Sequence, residues 1–108
     1  MITGRVGDDV SVEDAKAAAR LIGLNLVSTM RHATGGDLDK IKKIVKLVGF
    51  VRCHDKFTEQ PQVINGCSDL MVEIFGPEKG KHARSAVGTN ALPLGVAVEI
   101  EAIVELEP

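Results

Sequence analysis

From Val96 to Glu105 the chain alternates. Val96, Val98, Ile100, Ala102 and Val104 fall on one face, and Ala97, Glu99, Glu101, Ile103 and Glu105 on the other. This period of two predicts a strand in a sheet that packs on helices on one side only. A shorter strand precedes it, carrying Arg84 among Ala83, Ser85 and Ala86, with a Pro/Gly loop between the two. A guanidinium there is fixed by the sheet, and Glu99 on the neighbouring strand is a carboxylate for it to meet.

Upstream the period lengthens to that of helices. Ser11 can cap a helix running to about His32, with Asp14 placed as in a capping box. Ala15, Ala18, Ala19, Ile22, Leu26 and Met30 make one apolar stripe. Ala17, Leu21 and Leu24 widen it, which predicts burial on more than one side. Gly35-Gly36 ends the helix. Ile41 to Arg52 is rich in β-branched residues and reads as a long strand. Its Lys42, Lys43 and Lys46 put the first half partly in solvent and oppose edge-to-edge association. A second helix begins near Thr58 and Pro61, buries Val63, Cys67, Leu70, Met71 and Ile74, and stops at Gly76-Pro77. Residues 1–10 form an extended or looped lead-in. The order helix, strand, helix, strand, strand predicts one α+β domain over residues 1–108, with helices on one face of a mixed sheet.

Composition narrows the function. A net charge of −2, three Phe and no Trp or Tyr argue against a phosphate-reading or base-stacking surface, so nucleic acid is an unfavoured partner. Lys40, Lys42, Lys43 and Lys46 are the sole basic cluster. No apolar run is long enough to span a membrane, and the N-terminus has no signal-like apolar segment. Cys53 and Cys67 make no metal-site pattern, which predicts free thiols in a reducing, cytoplasmic setting, with an organelle left open. Cys67 falls on an apolar stripe and reads as a small core residue rather than a nucleophile. His32, His54 and His82 are scattered and read as surface or loop residues.

Three separated pieces, Ala83-Arg84-Ser85, Leu92-Pro93 and Val98-Glu99-Ile100-Glu101-Ala102-Ile103, carry a specific resemblance. In order and spacing they resemble the signature of the Rid (reactive intermediate deaminase) family, also called YjgF-like or L-PSP endoribonucleases. Asn65-Gly-Cys-Ser-Asp in the second helix is similar to a less-characterised subgroup. The resemblance implies a chorismate-mutase-like (ferredoxin-like) fold and a homotrimer with sheets lining a central barrel and ligand clefts between subunits. The implied activity is hydrolysis of reactive 2-imino or enamine acids to 2-keto acids and ammonia, with no metal or organic cofactor. Arg84 would hold the substrate carboxylate through its planar fork. Glu99 would orient or deprotonate the attacking water, while Glu101 would be an interface or solvent residue. Asn65 matches a residue bordering the cleft. Ala86 stands where the best-known deaminases carry Cys. Family members have some tens of residues ahead of Val6-Gly7, forming an edge hairpin, so that hairpin is expected to be largely missing here.

Two other functions stay in play. One is a non-catalytic trimer in which Arg84 captures a small carboxylate metabolite. The other, poorly supported by charge and composition, is an endoribonuclease or translation inhibitor. A purely structural Arg84, paired with Glu99 or a chain terminus across an interface, is the plainest alternative.

Overall fold

The computed structural model describes residues 2–108. Helix α1 spans Val12–Ala33, strand β1 Ile41–Arg52, helix α2 Gln60–Gly80, strand β2 Ala83–Thr89 and strand β3 Val98–Leu106. Short 3-10 turns, Leu38–Lys40 and Pro93–Gly95, precede β1 and β3. The α+β class and the helix-on-sheet layering are as expected.

The sheet order is β2-β1-β3. β2 runs parallel to β1 and pairs Leu47 with Arg84, Val48 with Ser85 and Gly49 with Ala86. β3 runs antiparallel on the other edge of β1, pairing Leu47 with Ala102, Val48 with Glu101 and Phe50 with Glu99. The final two strands are therefore not neighbours, which corrects the expectation that Glu99 lies on the strand beside Arg84. The reason is local: α2 returns the chain to the same end of the sheet, so β2 adds parallel. The loop after β2 then crosses to the free edge of β1, turning through Leu94 and Gly95 at φ 58° and 68°.

β1 is the centre of the core. Ile41, Ile44, Leu47 and Val51 are completely buried beneath the helices. Register shifts between Ile41 and Lys43 and between Ile44 and Lys46 mark bulges. These explain why buried positions recur at intervals of three before the strand settles into alternation. Lys42 and Lys43 are exposed and Lys46 half-buried, as the composition of this half suggested. β3 presents Val98 and Ile100 to the helices and Glu99, Glu101 and Ile103 to the open face.

Ser11 Oγ caps α1 by accepting from the Asp14 backbone N–H at 3.0 Å. The helix buries Ala15, Ala19, Gly23 and Met30 on one line. Leu21 and Leu24 are 56% and 46% exposed, so the helix is buried on one side, not several. Small residues set its approach to α2 rather than to the sheet alone. A Cβ on Gly66 would lie 2.1 Å from the Lys16 carbonyl oxygen, and one on Gly23 would meet a Leu70 methyl at 2.8 Å. α2 starts after Glu59, without the expected Thr58 cap, and buries Val63, Cys67, Leu70 and Met71 while Ile74 is half-exposed. Its continuity breaks at Gly76 (φ 82°, ψ 168°), and Pro77 opens one further turn to Gly80. The lead-in joins the sheet: Val6 N–H donates to the Arg52 carbonyl at 2.8 Å, and Thr3 bridges Val96. Among the described residues no helix is long and apolar enough to cross a membrane.

Cys67 is wholly enclosed, and burial pushes its thiol from the ordinary 9.0 up to about 11. The fold therefore holds the proton more tightly than the unfolded chain does, and the stability this confers is complete below pH 9 and lost as pH rises toward 11. Urea denaturation is expected to show wild type losing on the order of 2 kcal/mol more than Cys67→Ala across that interval. Equal slopes would refute the enclosure. In the same assay Gly66→Ala is expected to cost about 3 kcal/mol, because its new methyl meets backbone. Gly23→Ala, which meets a movable Leu70 methyl at 2.8 Å and the Cys67 sulfur at 3.2 Å rather than backbone at close range, is expected to cost less.

Candidate functional site

The polar face of α2 meets the beginning of β2. Asn65 and Ser68 are three residues apart on a helix, hence neighbours on one face. Arg84 shares its ladder row with buried Leu47, so its side chain leaves the sheet on the helix side. Because β2 is an edge strand here, the guanidinium reaches round to α2 instead of entering the core. Arg84 Nη1 donates to Asn65 Oδ1 at 2.5 Å and to Ser68 Oγ at 3.3 Å. All the hydrogen bonds of Arg84 to described residues use that one nitrogen. None goes to a carboxylate, and the ion pairs among the described residues lie elsewhere, at Arg5–Asp8, Arg20–Glu73 and Lys42–Glu105. The rest of an exposed, positioned fork is thus free to receive an anion.

His82 completes the cluster. Its Nδ1 lies 2.6 Å from the Gly80 carbonyl oxygen, which can only accept, so Nδ1 carries a proton. Its Nε2 lies 2.9 Å from Ser68 Oγ. In the neutral ring that nitrogen is the acceptor, and the Ser68 hydroxyl donates to it. The result is a continuous chain from Gly80 through His82, Ser68 and Arg84 to Asn65.

Of the residues singled out from sequence, Arg84 and Asn65 are brought together directly. Ala86 lies on the same side of β2, two residues along, half-buried against the core beside Gly49. It offers a small apolar wall. Glu99 is not part of the cluster. It is half-buried on the open face, in the row of Phe50 and Val87, whereas Arg84 is in the row of Leu47. The two are separated by β1, by three rows (roughly 10 Å at strand rise) and by the thickness of the sheet. Within one chain they do not meet. His82 and Ser68 were not among the expected site residues. The signal was there: His82 lies two residues before Arg84 in extended chain and so on its side, and Ser68 one helical turn after Asn65. His54, by contrast, stacks edge-on against Phe57 with ring centres 6.3 Å apart, and its Nδ1 accepts from the Lys56 backbone.

An apolar groove lies elsewhere among the described residues. About 690 Å³ in volume, it runs between α1 and the β3 edge, lined by Ile2, Ala17, Leu21, Val96 and Val98, and offers few polar groups to fix a ligand. Among the described residues no three His, Cys, Asp or Glu side chains gather as a metal set.

Comparisons with known proteins bear on this arrangement. A family model described as YjgF/chorismate mutase-like, putative endoribonuclease, matches residues 1–106. The protein TCP17 of Trypanosoma cruzi is 50% identical over 105 residues, covering 97% of this chain and 65% of the relative, so the chain spans about two-thirds of that curated protein's length. The crystal structure of the protein Atu1372 from Agrobacterium tumefaciens superposes with a TM-score of 0.95 at 46% identity, over 99% of this chain and 68% of that one. The crystal structure of a putative endoribonuclease from Shewanella oneidensis gives 0.92 at 35% identity, over 98% and 69%.

Proposed function

The chain belongs to the YjgF/chorismate mutase-like family, and from that premise we propose that it hydrolyses reactive 2-imino or enamine acids to 2-keto acids and ammonia. The observation that carries this reading is the Arg84 guanidinium. It is oriented by Asn65 and Ser68, has no carboxylate among its hydrogen-bond partners, and leaves Nε and Nη2 without a described partner on an exposed side chain. A small 2-imino acid offers a planar carboxylate to match the fork, with the imine carbon bonded directly to it. Ala86 forms the wall against which a short side chain rests.

Glu99 enters this scheme from a second copy. Its carboxylate orients the attacking water at the Arg84 site of a neighbouring protomer, which requires the homotrimer. Val45, Val87 and Ile103, at 41%, 44% and 58% exposure on the sheet, support association through that face. The free thiols of Cys53 and Cys67 support a reducing compartment, the cytoplasm. The family's endoribonuclease description fits less well, because the net charge is −2 and the Arg84 cluster carries no Phe, Tyr or Trp on which a base would stack.

The test is a steady-state assay with freshly generated 2-iminopropanoate. Wild type is expected to accelerate 2-keto acid release over the spontaneous rate, and Arg84→Ala to lose on the order of 100-fold in kcat/KM, the worth of a charge-assisted pair. No acceleration, with 2-ketobutyrate still bound, would leave a carboxylate-binding module; RNA cleavage abolished by Arg84→Ala would point to the ribonuclease. If Glu99 acts across the interface, mixing inactive Arg84→Ala and Glu99→Gln subunits restores part of the activity. Activity that stays at the level of the separate variants would rule out that role.

A further inference from the structure

We propose that Ser68 and His82 form the proton-transfer pair of the Arg84 site, Ser68 touching the substrate and His82 holding the proton behind it. This rests on the imine-hydrolysis reading above and adds to its water-orienting Glu99 a proton-transfer pair borne by the chain that binds the carboxylate. Within one chain Glu99 lies on the opposite face of the sheet, so it can orient the water only from a neighbouring copy, and the groups that flank the Arg84 site in its own chain are Ser68 and His82.

The geometry is that of a base and its relay. The Gly80 carbonyl fixes the His82 ring through Nδ1–H at 2.6 Å, which commits Nε2 to be the lone-pair nitrogen. Ser68 Oγ, 2.9 Å away, gives its hydrogen to that lone pair. The same oxygen lies 3.3 Å from Arg84 Nη1. A carboxylate received at the Nη1–Nη2 end of the fork, sharing Nη1 with Ser68, lies beside the Ser68 hydroxyl, and the imine carbon is one bond from the carboxylate carbon. A base oriented by a third group and hydrogen-bonded to a hydroxyl at the reacting centre is the arrangement proton transfer needs.

The step balances without any further reagent. Water adds to the imine carbon. One of its protons passes to Ser68 Oγ as the Ser68 hydroxyl proton passes to His82 Nε2, and the C=N π pair moves to nitrogen. The path then reverses and gives that proton to nitrogen, leaving a neutral amino alcohol. The amino alcohol loses its hydroxyl proton by the same route. The C–N bond breaks as nitrogen receives this second proton and departs as ammonia, and the C=O bond forms. Both hydrogens of the water end on ammonia. While the proton rests on His82, the Gly80 carbonyl faces the positive ring.

Three variants test the pair in the 2-iminopropanoate assay, each checked for 2-ketobutyrate binding to show that the Arg84 site is still formed. Ser68→Ala and His82→Ala are expected to lower kcat at least tenfold with KM within twofold, and added imidazole to restore part of the His82→Ala rate. His82→Gln keeps a hydrogen-bonding atom near the Nε2 position but takes up no proton, so it is expected to be as slow as His82→Ala. If His82→Gln regains the wild-type rate, His82 only positions Ser68, and the relay is wrong. If wild type is active and all three variants match it, the relay is likewise wrong while imine hydrolysis stands. If wild type gives no acceleration, the imine reading itself fails and the relay falls with it.

Discussion

β1 is the constraint on which the rest of this molecule turns. Four of its side chains, Ile41, Ile44, Leu47 and Val51, are sealed from water, and both its edges are paired. A strand enclosed in that way has to receive one neighbour on each side, and the chain supplies them by different routes. α2 carries the backbone over one face and delivers β2 parallel. The loop around Pro93 then swings β3 to the remaining edge. Burial of these four residues also fixes which face of β1 lies under the helix layer.

The site follows from that arrangement. An edge strand that begins directly under α2 places its early side chains at the rim of the helix layer, neither in the core nor in open solvent. Arg84 leaves the sheet there and is met by the two polar residues that α2 has on that side, Asn65 and Ser68. The same topology sends Glu99 to the far face. A carboxylate and a guanidinium both borne on strands are thus kept from neutralising one another within a chain, and the cation stays available to an external anion.

Much of this was legible in the amino-acid order. The span Ile41–Arg52, the two faces of Val98–Leu106, the Ser11 cap and enclosed Cys67 all follow from periodicity or from one residue's capping chemistry, which are local properties. The family resemblance picked out Arg84 and Asn65, which the fold places in contact. What local pattern does not encode is the order of strands in space. Alternation says which face Glu99 is on, but not that β1 lies between it and Arg84. Leu21, Leu24 and Ile74 misled for a related reason. They lie beside the apolar stripes, but the helices touch along a narrow line of small residues, Ala19, Gly23 and Gly66, and such close contact leaves the flanking side chains outside it. Ser68 was passed over and His82 was read as a surface or loop residue because their spacing from Asn65 and Arg84 gains meaning only once α2 and β2 are placed side by side.

The break at Gly76 gives the cluster two separate mountings. Asn65 and Ser68 belong to the long helix that is locked against α1, whereas Gly80, whose carbonyl anchors the imidazole, belongs to the short turn that restarts at Pro77. Changes at residues 77–79 therefore reach the ring through the turn that carries Gly80, while Gly80 itself, set against the backbone of Met71 and Val72, admits no side chain. Evolution, or an engineer, has here a tuning element: the reactivity of the centre adjusts through one turn while its anion receptor is inherited unchanged.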